Sequence, residues 1–338
     1  MNRQKRHAGQ TALHEQFLPI VVIAVISMML CLLVGCGKKQ PQTKTYTIGI
    51  NQFMQHPVAD EVAKGITDEL NDQGITEANG YKVLLKNANG DQAIAVQINK
   101  QFVNDKVDVI IPIATPSAQS ACKETTTIPV VFAAITDPVK AGIADSLEHP
   151  GGNRTGTSNR WPFEKQVDLI LQVVPNAKRV GLIINPSEGN TEAALSYIRP
   201  ALQKAGLKAV EAPVASTSEV LNAAKSLVGR CDVFFVAPDN TLQGGFDALV
   251  KVARENNIPI IGGTEDLVKK GSIASYAPNH YQLGRETAKM ALEIIRNHKD
   301  PGSMPVVMDN NAPLVINEEE AAKIGISIPD KLRLAVKH

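Results

Sequence analysis

Aromatic side chains are scarce: they make up 4% of the 338 residues, with one tryptophan, five tyrosines and eight phenylalanines. Cysteine is scarcer still, at four, which is too few for a disulfide scaffold. Neither sign of charge is in excess, since 35 lysines and arginines face 34 aspartates and glutamates. A nucleic-acid binder gathers a basic surplus on one face, so that class is disfavoured. No CxxC or HExxH spacing offers a zinc site, and GxSxG, GxxxxGK and GxGxxG are all missing. His56, followed by Pro57, is the one histidine near an expected strand end, and it reads better as a capping or packing residue than as a base. No nucleophile–base pair can be named, so neither an enzyme nor a metal nor a cofactor is expected. Glycine and proline, at 24 and 20, are ordinary, and 43% hydrophobic residues are too many for a disordered chain.

One long apolar run is present. Arg3, Lys5 and Arg6 precede it, it spans residues 17–34, and it closes on Leu33-Val34-Gly35-Cys36. A basic start, an apolar stretch and small residues before a cut describe a secretory signal. The cysteine after that triplet resembles the bacterial lipobox, which implies cleavage after residue 35 and lipidation of Cys36. The alternative is an uncleaved anchor, but the run is near the lower limit of about 17 residues for a span, and Pro19 shortens it. Residues 36–44 are polar and turn-prone and read as a tether. Losing residues 1–35 removes Arg3, Lys5, Arg6 and Glu15, leaving 32 basic against 33 acidic side chains. Besides Cys36, Cys122 and Cys231 remain; they lie far apart and read as small buried hydrophobes rather than a disulfide.

From residue 45 onward, short β-branched runs alternate with amphipathic stretches, the pattern of βαβ units around parallel sheets. Expected strands fall at 45–51, 82–87, 107–113 and 129–133, then at 179–184, 208–213, 232–236, 259–261 and 272–276. Residues 149–161, rich in Gly, Asn, Thr and Ser, separate the two series and read as the first inter-lobe crossover. An internal echo supports two similar lobes: residues 108–119 align without gaps on 232–243, so that Thr115 and Ser117 correspond to Asp239 and Thr241.

Ligands of open α/β sheets bind beyond the carboxyl ends of the strands. Those ends carry Phe53, Thr115 to Ser117 and Thr136-Asp137 in the first series, and Asn185, Asp239-Asn240 and Glu265 in the second. Thr115-Pro116 reads as an N-cap with proline at the first helical position, and the free N–H groups there, with Ser117, suit a small anion. The plain alternative is that Thr115 only caps its helix. Asp239 and Glu265 suit an ammonium group, or else cap their own helices. Asp137, before Pro138, is equally an ordinary turn starter. Phe53 and Trp161 are candidate walls for an apolar ligand, with the competing reading that Trp161 plugs the lobe interface.

The stretches IGINQFMQHPVADEVAKGI, QFVNDKVDVIIPIATPSAQ, IPVVFAAITDPVKAGI, PGGNRTGTSN, VFFVAPDNT and IPIIGGTEDLVKKGSIASY run in order along the chain. In them the chain resembles the bacterial ABC-transporter substrate-binding protein family of the TrpX-like type. The resemblance implies the type I periplasmic-binding-protein fold: two Rossmann-like α/β lobes with parallel sheets, joined by three crossovers. It places one lobe at 45–157 plus about 280–309 and the other at 158–279 plus about 310–338. It also implies a lipid-anchored, extracytoplasmic, monomeric receptor that hands a small ligand to a membrane permease with a cytoplasmic ATPase. Characterised relatives bind aromatic amino acids. Carried onto this chain, the ligand loops include Phe53, Thr115, Ser117, Thr136, Asp137, Ser158, Trp161, Asn185, Asp239, Asn240 and Glu265. A nucleoside or sugar ligand, or a sensing partnership with a membrane receptor, stays open at this level.

Overall fold

In the computed structural model of the chain, residues 45–309 and 312–336 are described. The signal-like segment, the tether and Cys36 lie outside the described residues. The first lobe is built from β1 (Tyr46–Gln52), α1 (Pro57–Asp72), β2 (Tyr81–Asn87), α2 (Gln92–Asn104), β3 (Val109–Ile113), α3 (Thr115–Glu124), β4 (Val130–Ile135) and β5 (Arg154–Ser158). The second follows with α4 (Phe163–Val173), β6 (Arg179–Ile184), α5 (Gly189–Lys204), β7 (Lys208–Pro213), α6 (Val220–Leu227) and β8 (Val233–Val236). It continues through α7 (Asn240–Gly244), α8 (Phe246–Asn256), β9 (Ile260–Gly262), α9 (Glu265–Lys270) and β10 (Ala274–Tyr276). The chain then returns to the first lobe for α10 (His280–Asn297) and β11 (Val307–Met308). It ends in the second with β12 (Leu314–Ile316), α11 (Glu318–Lys323) and α12 (Asp330–Arg333). Three crossovers therefore join the lobes, as the α/β two-lobe expectation requires.

The two six-stranded sheets repeat one order, β2-β1-β3-β4-β5-β11 and β7-β6-β8-β9-β10-β12. Every pairing is parallel except β10 with β12. In each sheet the winding reverses between the first and third strands, β1/β3 and β6/β8, which opens a crevice at their carboxyl ends.

The apolar runs explain the sheet centres. Along β3, Val109, Ile111 and Ile113 pack with Val62, Ile66 and Ala291, while Ile110 faces the opposite cluster with Ala95 and Phe102. Along β8, Val233 and Phe235 join Leu169 and Ile198, whereas Phe234 and Val236 join Leu227 and Leu249. Successive side chains point to opposite faces and both faces are covered, so the strand is hydrophobic throughout. Burying one such side chain fully stabilises by about 1.5–3 kcal/mol. The echo has a structural counterpart: Asp108 Oδ2 accepts from Thr47 N and Asp232 Oδ2 from Arg179 N, each at 2.8 Å, tying the third strand of a lobe to the entry of its first.

One expectation fails. Residues 154–158, read as part of the crossover, form β5 instead. Their Arg-Thr-Gly-Thr-Ser sequence lacks an apolar run, but the backbone of Gly156 (φ 155°) comes so close to Phe132 that a Cβ there would lie 2.0 Å from its carbonyl oxygen. A small residue was needed rather than a hydrophobic one. Helix α10 is tied to the first lobe by a similar approach, since a Cβ on Gly65 would meet Tyr281 O at 2.1 Å and one on Gly284 would meet Val62 O at 2.2 Å. Cys122 and Cys231 are free, in different lobes, and burial pushes both thiols up to about 11.

Candidate ligand-binding cleft

A cavity sits between the lobes at the two switch points. His56, Val58, Val62, Ile113, Ala114, Thr115, Ala134, Thr136 and Asn159 line it from one side, and Asn190, Pro238, Asn240 and Gln243 from the other. Its free volume of about 30 Å³ has room for a water or two, far short of the roughly 300 Å³ at the small end of ligand sites. The lobes are drawn together. His56 Nδ1 accepts from Ala59 N, so Nε2 carries the proton and donates to Asn240 Oδ1 across the cleft at 3.0 Å. Burial lowers the pKa of His56. On the other flank Tyr197 of α5 donates its hydroxyl to Asp137 Oδ2 at 2.6 Å, and Lys140 Nζ reaches Ser196 Oγ at 2.5 Å while lying 3.5 Å from the Tyr197 ring centroid.

In the first lobe the cap of α3 is Ala114, at φ 74°, ψ 156°, and Thr115 is already helical. The expected threonine cap is thus corrected: no side chain caps this helix start, and the first N–H groups of a helix have no partner within it. Ser117 Oγ, wholly buried, has no hydrogen-bond partner. Ala134, at φ 54°, is a second non-glycine residue with left-handed backbone on the same wall. Such strain collects where a ligand is clamped.

The second lobe treats its equivalent helix start differently. Glu188, buried, accepts from Asn240 N and Thr241 N, from Thr241 Oγ1, and from the Nδ2 groups of Asn190 and Asn240. Asp239 caps α7 through Leu242 N and also accepts from Asn185 N (2.6 Å) and Thr191 Oγ1 (2.8 Å). Burial, then the charge of Glu188, pushes the Asp239 carboxyl up to about 7. Two carboxylates fill the seat that stands open in the other lobe. Among the described residues no group of His, Cys, Asp and Glu is placed to hold a metal ion.

Residues 47–338 match the family of ABC transporter substrate binding proteins. The chain belongs to that family. A tyrosine-binding protein of Clostridioides difficile is 34% identical over 316 residues, 90% of this chain and 91% of the relative. A Streptococcus pneumoniae ABC domain solved in complex with L-Trp is 33% identical, covers 87% of this chain and 99% of its own, and superposes with a TM-score of 0.83. The ligand-free, open structure of a Clostridium difficile substrate-binding protein with adhesive properties is 32% identical, covers 86% and 98%, and superposes at 0.64. At similar identity the lobes match the complex better than the open structure, in keeping with the narrow cleft. Members of this family bind a small ligand outside the cytoplasm for an ABC permease, a non-enzymatic role.

Within this member's cleft the residues expected from sequence divide. Thr115, Thr136 and Asn240 line the cavity, and Ser117, two residues beyond Thr115 in α3, is buried behind that lining. Ser158 Oγ donates to Thr136 O and props that loop. Asn185 is occupied inside the lobe by Ser187 and Thr241. Asp137 is a turn and latch residue, its Oδ1 accepting from Val139 N and Lys140 N and its Oδ2 from Tyr197. The ammonium role expected of Asp239 does not fit, because the residue is wholly buried behind the cavity lining with three protein donors on its oxygens. That of Glu265 fails as well: its side chain is 58% exposed and paired with Lys269. Phe53 packs with Ala88, Ile98 and Phe102 under α2, and Trp161 packs into the second lobe's core, so neither walls the cavity. Sequence reasoning missed Asn190 and Gln243, and it reached the loop at 158–161 without singling out Asn159. Gln243 had a signal, since it is the last aligned residue of the echo.

Proposed function

We propose that this receptor captures a zwitterionic aromatic amino acid between its lobes and, lipidated at Cys36 and tethered by residues 36–44, delivers it as a monomer to its permease. The carrying observation is the open start of α3: an uncapped helix N-terminus with Ser117 Oγ buried and unpartnered beside it. Partial positive charge and free donors there suit the ligand's α-carboxylate. Thr115 and Thr136 would complete that seat, and the aliphatic patch of Val58, Val62 and Ile113 would carry the side chain in place of an aromatic wall. The relatives that bind tyrosine and L-Trp support this ligand class. Closure would bring together two halves, 45–157 with 280–309 and 158–279 with 310–338, about the three crossovers. Isothermal titration against the twenty amino acids and a set of nucleosides tests the reading; micromolar binding of tyrosine, tryptophan or phenylalanine is expected, and binding of a nucleoside alone overturns it. For the anchor, the wild type should incorporate labelled palmitate and Cys36→Ser should not, and equal labelling of the two would contradict lipidation at Cys36.

A further inference from the structure

The second lobe offers a ligand no free carboxylate. Glu188 takes five donors, against about four lone-pair positions on a carboxylate, and Asp239, wholly buried and off the cavity lining, takes three. On this lobe's side of the cavity the polar atoms left over are amide oxygens: Asn190 Oδ1 and Gln243 Oε1 are both buried and have no partner, and both residues line the cavity, facing Asn159 Oδ1, likewise buried and unpartnered, on the other side. For Asn190 the amide orientation is fixed by chemistry. Its Nδ2 lies 3.0 Å from Glu188 Oε2 and 2.8 Å from Pro238 O; both are acceptors, so the nitrogen must face them, and the oxygen is what remains to offer. A buried acceptor without a partner calls for an explanation. An ammonium group, with three donors and no acceptor, supplies one.

We infer that the receptor binds its ligand's ammonium group through neutral amide carbonyls, Asn190 Oδ1 with Gln243 Oε1, while the compensating negative charge is the buried Glu188–Asp239 pair, which never touches the ligand. This deepens the amino-acid reading above and rests on it. Asn190 and Asn240 connect the two layers, since each donates Nδ2 to Glu188. The asymmetry of the helix starts then orients the ligand. The uncapped start of α3 accepts an anion, whereas the carboxylate-filled start of α7 repels one, so the α-carboxylate goes to the first lobe and the ammonium to the second. Holding the charge behind amides also avoids placing a bare carboxylate at the mouth of an open cleft, where it would capture inorganic cations.

The test compares L-tyrosine with its des-amino analogue, 3-(4-hydroxyphenyl)propionate, by calorimetry on the wild type, Asn190→Ser, Gln243→Leu and Glu188→Gln, with thermal melts as a folding control. Losing a hydrogen bond to the charged ammonium in Asn190→Ser, or the negative charge behind it in Glu188→Gln, is expected to weaken L-tyrosine about tenfold to a hundredfold. The analogue's affinity should stay unchanged. A parallel loss for both ligands in Asn190→Ser and Gln243→Leu, each folded, would mean a structural role and overturn the inference, as would a wild type that does not distinguish the two. A wild type that binds neither L-tyrosine nor L-tryptophan overturns the amino-acid reading itself.

Discussion

Replacing Tyr197 by phenylalanine should loosen closure without touching the cavity. The Tyr197 hydroxyl donates to Asp137 Oδ2 at 2.6 Å, joining α5 of one lobe to the turn after β4 of the other. Phenylalanine keeps the ring, and so keeps its parallel stacking on Phe163 (centroids 5.6 Å apart) and the Lys140 and Arg160 cations over its face at 3.5 and 4.3 Å. One charge-assisted hydrogen bond is removed, and such bonds contribute about 1.5–3 kcal/mol. Tyr197 is half-buried, so the low end applies, and the closing equilibrium should fall about tenfold. Apparent affinity scales with the population of the competent state, so ligand binding should weaken by up to about tenfold. Calorimetry reads the affinity, and small-angle scattering of the ligand-free protein reads the closed fraction. Asp137→Asn, alone and combined with Tyr197→Phe, completes a cycle in which the double variant should be little worse than either single one. Unchanged affinity together with unchanged scattering, or strictly additive losses, would refute the latch.

Ser117→Ala should cost about tenfold in amino-acid affinity and little stability, because the hydroxyl has no partner within the protein; equal losses in affinity and melting temperature would point to a structural role instead. Glu61 of α1 has its carboxyl pushed up to about 7, first by burial and then by Asp266 and Glu265 across the cleft mouth, with Lys269 opposing. A carboxyl raised in the folded state is protonated there and ionised in the unfolded chain between about pH 4 and 7, so its contribution to stability falls as pH rises through that window. Glu61→Gln should therefore be the more stable form at pH 8 by about 1 kcal/mol, after allowance for its partial exposure, and nearly equal at pH 4. Denaturant melts at both pH values check this, and a gap that does not change with pH would contradict it.

How much was legible beforehand depended on what each residue's neighbours had to be. The runs at 109–113 and 233–236 announce buried strands because a strand covered on both faces must be apolar throughout, and the echo between 108–119 and 232–243 announces their equivalence. Strand β5 was hidden because a close backbone approach at Gly156 selects for small size, which looks like a loop. At the site, strand ends located the right loops, but not which side chain faces the ligand. Asp239 has the charge an ammonium wants, yet its oxygens serve Asn185, Leu242 and Thr191. Asn190, two residues beyond Glu188, looks like an ordinary helix-start amide until the burial and direction of its two bonds are known. Phe53 follows a strand end but turns under α2, where Ala88, Ile98 and Phe102 form an apolar cluster.

The measurement closest to the central claim is a crystal structure of the protein grown with L-tyrosine or L-tryptophan. The expected density has the α-carboxylate at the start of α3 beside Ser117 Oγ and the ammonium within hydrogen-bond distance of Asn190 Oδ1. A ligand bound in the reverse sense, with its carboxylate against α7, or with its ammonium directly on Asp239, would contradict the account.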